Sequence, residues 1–223
     1  MASANRRILS ALVFAASLSP IALLLWDAST NVNVIYFNGI VRSTGYWSLR
    51  FLCLTLAVTP LRWLTGWNSL VKFRRMMGLF GFFYGALHTA AYVVFDHAAA
   101  LNESVRSSAL AATSHTLAAV GVDLLRPFFA IGLAALVLIT PLAATSTSGM
   151  IRRLGGRRWQ ALHRLAYPAA VASVLHTYWP LTLRSPRYAL ILCIIFALRL
   201  GRAYAHSQPS PPRTGQAVTN IAP

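Results

Sequence analysis

Residues 78–95 read GLFGFFYGALHTAAYVVF, a run of 18 residues with no formal charge and one imidazole, His88, in its second half. A helix needs roughly 20 mostly apolar residues to cross the hydrocarbon core of a bilayer. Lys72, Arg74 and Arg75 precede the run and Asp96 follows it, so the charges mark its ends. An ionisable side chain inside such a run is costly to bury in lipid and is by default a sign of function.

Working outward, five further runs have the same character: residues 8–26, 45–61, 126–143, 160–179 and 187–203. The expected fold is all-α, a polytopic membrane bundle of six transmembrane helices within residues 1–205. Residues 206–223, rich in Pro, Ser and Thr, read as a disordered cytoplasmic tail. The stretch 108–122 is moderately apolar and reads as an interfacial or re-entrant segment. Composition agrees. The chain is 57% hydrophobic and has 20 basic and 4 acidic residues in 223, about half the charged share of a soluble domain. A net charge of +16 would suit nucleic acid only as a basic face on a soluble fold. Here the charges lie between apolar runs, so the partner they imply is the lipid bilayer, with no nucleic acid.

The six spans divide the basic residues into 14 on one side and 6 on the other, and all four acidic residues join the smaller group. The positive-inside rule then makes both termini cytoplasmic and turns the 96–125 loop outward. All six tryptophans, Trp26, Trp47, Trp63, Trp67, Trp159 and Trp179, fall near span ends, where indole rings favour the interface. Arg6 and Arg7 before an apolar run resemble a signal sequence, but the run is long and no A-x-A site follows, so an uncleaved first helix is expected. Cys53 and Cys193 lie in apolar stretches and read as small core residues.

Of six histidines, His97, His115 and His206 fall in loop or tail and read as solvated. His88, His163 and His176 fall within spans. His88 lies about 15 Å along its helix from Gly78, and His176 about 20 Å beyond His163. His88 and His176 therefore share a level in the outer half, and His163 belongs to the inner half. Gly78, Gly81, Gly85 and His88 are spaced 3, 4 and 3, as are Ala166, Ala169, Ser173 and His176. Each series makes one helical face of small side chains ending in an imidazole. Such a lane admits a flat macrocycle or simply another helix. Two matching lanes at one depth favour the ligand site.

The donor set suits haem. Zinc needs three or four converging protein donors, and the spans hold no carboxylate. Haem brings four equatorial nitrogens and needs only axial ligands, which His88 and His176 supply. Arg50 is a candidate partner for the propionates, or a side chain snorkelling to the outer surface. His163 is turned about 140° from His176 on an unbroken helix, and Pro168 between them can kink it. The residue thirteen before His88, where a partner for His163 would stand, is Arg75. Arg74 and Arg75, with Arg152, Arg153, Arg157 and Arg158, would suit an anionic flavin phosphate or serve only as positive-inside charge.

Several motifs resemble the MsrQ family: Arg74-Arg75-Met76-Met77-Gly78-Leu79, Phe83-Tyr84 and Leu87-His88. Others are Thr59-Pro60-Leu61-Arg62, Arg126-Pro127, Thr145-Ser146, Arg153-Leu154-Gly155 through Trp159, Leu162-His163-Arg164-Leu165, Tyr167 and His176. The resemblance covers most of residues 40–180, with residues 97–122 longer than the family leads one to expect. It implies a ferric-reductase-like transmembrane domain in a bacterial inner membrane, carrying haem b and binding FMN. Such proteins take electrons from a cytoplasmic flavin reductase using NAD(P)H and pass them to a periplasmic MsrP-like molybdopterin reductase that repairs methionine sulfoxide. On this resemblance His88, His176 and His163 are haem ligands, His163 either at a second, unusually ligated haem or in the flavin site. The chain is then an electron-transfer subunit without a substrate-reducing site of its own, fed by another protein or by a quinol. Rival readings are a ferric-chelate or quinone-linked cytochrome b, and a transporter with a histidine relay.

Overall fold

A computed structural model describes residues 2–30, 37–96, 118–178 and 186–207. His97, His115, Trp179, most of the 96–125 loop and the tail beyond Ser207 lie outside the described residues.

Among the described residues the main helices are, in chain order, α1 (Ala2–Thr30), α2 (Phe37–Thr65), α3 (Val71–Asp96), α4 (Pro127–Ala144), α5 (Ser148–His163), α6 (Ala166–Tyr178) and α7 (Arg187–Ser207). No strand occurs among the described residues. Among the described residues four segments are long and apolar enough to cross a membrane: Arg7–Asp27, Asn68–Phe95, Pro127–Ala144 and Arg187–Ser207. In α1, α4 and α7 only 11% of the most apolar window is buried inside the protein. Their outward side chains, such as Leu12, Leu23, Val137, Leu190 and Ile194, would be untenable in water over so large an area and belong against lipid.

Two of the six expected spans come out differently. The run 45–61 lies inside α2, but Ser48, Arg50 and Thr55 dilute its apolar character. α2 tolerates them because it is the central helix. It packs along α3 and also meets α1, α6 and α7, and Leu49, Phe51, Leu52, Cys53 and Leu56 are all buried. The expected span 160–179 is not continuous. It breaks at Arg164-Leu165 between α5 and α6. Pro168 has no N–H to give the Arg164 carbonyl. The chain instead makes tight bonds, Leu165 N to Leu162 O at 3.0 Å and Tyr167 N to Arg164 O at 3.0 Å. α6 has 13 residues, a rise of about 20 Å against a hydrocarbon core of about 30 Å.

α5 is a different kind of helix. Arg152, Arg153, Arg157 and Arg158 are exposed on it. It starts with Thr147 accepting from Met150 N at 3.2 Å, and Trp159 Nε1 donates to Thr145 O at 3.1 Å, tying it back to the end of α4. Opposite it in sequence, α2 ends at Gly66, whose φ of +71° gives the left-handed turn that closes a helix C-terminus.

Three details add to the sequence reading, and the first two correct it. α7 runs through His206 to Ser207, so the expected tail begins in helix. Cys53 is buried as expected, but Cys193 faces outward. Asp123, one of the four acidic residues assigned to the outer side, is 3% exposed; it accepts from Tyr92 OH at 3.1 Å and pairs with Arg126 at 3.4 Å.

Candidate functional site

α3 and α6 deliver one histidine each to a cavity of about 820 Å³ bounded by α2, α3, α4, α6 and the start of α7. The rings of His88 and His176 lie with centroids 6.0 Å apart and planes inclined at 75°. His88 Nδ1 is 2.7 Å from Val41 O on α2, and His176 Nδ1 is 2.6 Å from Phe128 O on α4. A carbonyl only accepts, so each Nδ1 carries the proton. In a neutral imidazole that leaves Nε2 with its lone pair. Two imidazoles on opposite sides of one metal ion, each bonded through Nε2 at about 2.0 Å, hold their centroids roughly 6 Å apart. The spacing, the tautomers and the room beside the rings all suit a bis-histidine metal centre. Among the described residues no three His, Cys, Asp or Glu side chains converge, so the pair suits a group that brings its other donors with it.

The small-residue lanes do two jobs. At their lower ends they pack helices. A Cβ on Gly78 would meet Thr55 at 3.6 Å and one on Gly81 the backbone of Leu52 at 3.5 Å, while Ala166 and Ala169 are buried at 7% and 0% exposure. Ser48 Oγ donates to Gly81 O at 2.8 Å, clamping α2 to α3. Only the upper members, Gly85 and Ser173, line the cavity beside their histidines. The lanes are therefore helix contacts below and cavity wall above.

Among the described residues that line the same cavity are three arginines, Arg42, Arg50 and Arg187, and no acidic side chain. Arg50 donates from Nε to Tyr188 OH at 2.9 Å and lies 4.5 Å from the centroid of the Trp47 ring. It is thus turned along the cavity wall. Such a wall favours an anionic group.

His163 stands apart from the pair, at the end of α5. Its Nδ1 donates to Trp159 O at 3.0 Å, and its ring stacks on Trp159 at 3.8 Å. Of the two adjacent arginines it is Arg74, half-buried, that lies close enough to act electrostatically on His163 and Arg199, whereas Arg75 is exposed. Arg75 stands thirteen residues before His88, as counted, and its side chain is exposed. Sequence reasoning also placed Arg199 among the cytoplasmic charges. It is half-buried in the bundle and donates to Tyr167 OH and to Leu56 O. Its position inside an apolar helix was a legible signal. Gly45, Gly132 and the two carbonyl acceptors were not, because only the packing reveals which backbone each ring meets.

A helical membrane bundle with a histidine-walled cavity defines a class, and residues 44–174 match the family model described as "Ferric reductase like transmembrane component". Three relatives narrow it. The protein-methionine-sulfoxide reductase heme-binding subunit MsrQ of Herminiimonas arsenicoxydans is 43% identical over 175 residues, 77% of this chain and 72% of that one. MsrQ of Ralstonia nicotianae is 44% identical over 166 residues, 72% and 70% of the two chains. MsrQ of Xanthomonas euvesicatoria pv. vesicatoria is 38% identical over 232 residues, 96% and 99%. The chain belongs to the MsrQ family, and it is a multi-pass membrane protein.

Proposed function

We propose that this protein is the haem b subunit of a methionine-sulfoxide repair system, carrying electrons across the bacterial inner membrane. The observation that supports this most directly is the His88–His176 pair, 6.0 Å between ring centroids, each ring held by a main-chain carbonyl. In this reading His88 and His176 would hold the haem iron. A haem held by these two side chains would supply one-electron chemistry, and ligation by both imidazoles would favour electron transfer over oxygen activation. Arg50 would pair with the propionates, with Arg42 and Arg187 adding positive charge to the same wall.

His163, Trp159 and Arg74 form the inner element of the path. They bind either a second haem or FMN, whose phosphate the exposed arginines of α5 and Arg75 would accept. A cytoplasmic flavin reductase using NAD(P)H, or a quinol, is the donor. A periplasmic MsrP-like molybdopterin reductase is the acceptor. Six crossings are formed when α2 and the α5–α6 segment join the four long apolar helices, which leaves both termini in the cytoplasm. The substrate-reducing site is then on the acceptor.

A pyridine haemochrome assay on purified protein, with His88→Ala, His176→Ala and His163→Ala alongside, tests the reading. The wild type is expected to bind haem b with a reducible low-spin spectrum, and the first two variants to lose that spectrum. A folded, haem-free wild type sinks it. Co-purification with a ferric-chelate-reducing partner in place of a molybdopterin protein would favour the ferric-reductase alternative that the family match also allows.

A further inference from the structure

The two histidines are seated by one device used twice. His88 donates to the Val41 carbonyl on α2, and four residues on is Gly45; His176 donates to the Phe128 carbonyl on α4, and four residues on is Gly132. In an α-helix the carbonyl of residue i points toward the amide of residue i+4. The side chain at i+4 therefore stands beside the approach that an outside donor must take to that carbonyl. A Cβ on Gly45 would lie 3.0 Å from His88 Nδ1 and 3.1 Å from its Cε1. A Cβ on Gly132 would lie 2.7 Å and 2.8 Å from the same atoms of His176. By contrast, a Cβ on Gly149 or Gly201 would meet nothing within 4 Å.

We propose that Gly45 and Gly132 are positioning residues for the two imidazoles, clearing the way to the Val41 and Phe128 carbonyls and so setting the tautomer, orientation and electron-donating strength of His88 and His176. The inference rests on the haem reading above. A hydrogen bond from Nδ1–H to a carbonyl makes Nε2 a stronger donor and holds the ring in place, and loss of such an outer partner typically weakens metal binding 10–100-fold. A stronger donor favours the ferric state. A methyl group at either glycine pushes the ring off its carbonyl and removes that bias.

The test uses purified, haem-loaded Gly45→Ala and Gly132→Ala proteins, with Gly201→Ala as control. Potentiometric titration and low-temperature EPR are expected to show a raised reduction potential and altered low-spin g-values in the first two. Haem retention in them should be weaker by about 10–100-fold, and Gly201→Ala should match the wild type. Gly132→Ala should show the larger effect, since its clash is tighter. Unchanged potential and g-values in both variants, against a wild type with a low-spin signal, overturn this inference and leave the haem reading intact. A wild type without that signal overturns both. Should either variant fail to accumulate, pulsed EPR of the remote imidazole nitrogens in the wild type decides: strongly hydrogen-bonded Nδ1–H supports the device, and free Nδ1–H refutes it.

Discussion

Arg199 of α7 donates to the main-chain carbonyl of Leu56 on α2 at 2.6 Å, joining two helices separated by more than half the chain. A second guanidinium nitrogen donates to Tyr167 OH on α6, and the guanidinium carbon lies 5.3 Å from that ring's centroid. An ionised side chain in an apolar helix is held only by partners of this kind. Arg199→Met removes both bonds and leaves Tyr167 OH without its donor. Each hydrogen bond to a charged group is worth about 1.5–3 kcal/mol. The variant is expected to lower the melting temperature in detergent, and Arg199→Lys to recover part of the loss, since an ammonium keeps the charge but lacks the planar fork that meets both acceptors. Equal melting temperatures for wild type and Arg199→Met would refute the tie.

Tyr84 should prove to be the anchor of α1. It is fully buried, donates to Ser17 O at 2.9 Å and stacks on Phe51 at 5.5 Å. Tyr84→Phe keeps the ring and loses one hydrogen bond, about 1 kcal/mol. Tyr84→Ala also opens a cavity, about 3–5 kcal/mol. Cysteine-labelling rates along α1 should rise modestly in the first and strongly in the second. Identical rates in both would place the anchor elsewhere, for instance in the Phe14–Phe80 contact at 5.3 Å.

The two readings of the glycine lane separate under substitution. Gly78 and Gly81 have ordinary van der Waals room for a methyl group, with nearest atoms at 3.6 Å and 3.5 Å. Gly78→Ala and Gly81→Ala should therefore leave haem content unchanged, measured by haemochrome assay. Gly81→Leu should not fit, because the neighbouring atoms are Leu52 and Ser48 backbone, and overpacking of this kind costs about 1–3 kcal/mol. Loss of haem in Gly81→Ala without loss of fold would return the lower lane to the cofactor.

How legible was all this in the chain? The long apolar helices were, because burial in lipid demands uninterrupted apolar length and the four clearest runs supply it. The pairing of His88 with His176 was legible because depth along a helix is set by residue count alone. The break at Arg164-Leu165 was half-legible: Pro168 marked a weak point, but a kink and a full break read the same in sequence. The inward turn of Arg74, and not Arg75, was hidden, since adjacent residues differ by only about 100° around the helix axis. Gly45 and Gly132 were hidden for a different reason. Their meaning lies in which ring comes against them from another helix, and no local pattern encodes that.

The strongest backbone prediction concerns Gly155. Its φ of 73° and ψ of 150° interrupt α5 between two helical stretches, and a Cβ there would meet nothing within 4 Å. Space is thus no obstacle, and the cost of a side chain is conformational alone. That backbone region is essentially closed to other residues, at about 1–3 kcal/mol. Gly155→Ala should relieve the strain by continuing the helix, which would rotate Arg157 and Arg158 relative to Arg152 and Arg153. Trp159 bonds Thr145 O from beyond the kink and carries the stacked ring of His163, so the rotation should be felt there. Tryptophan fluorescence of Trp159, isolated by replacing the other five indoles, should shift in Gly155→Ala. Gly156→Ala, at a neighbouring glycine without positive φ, should leave it unchanged. A shift of equal size in both variants would mean that the kink is not what orients the Trp159–His163 stack.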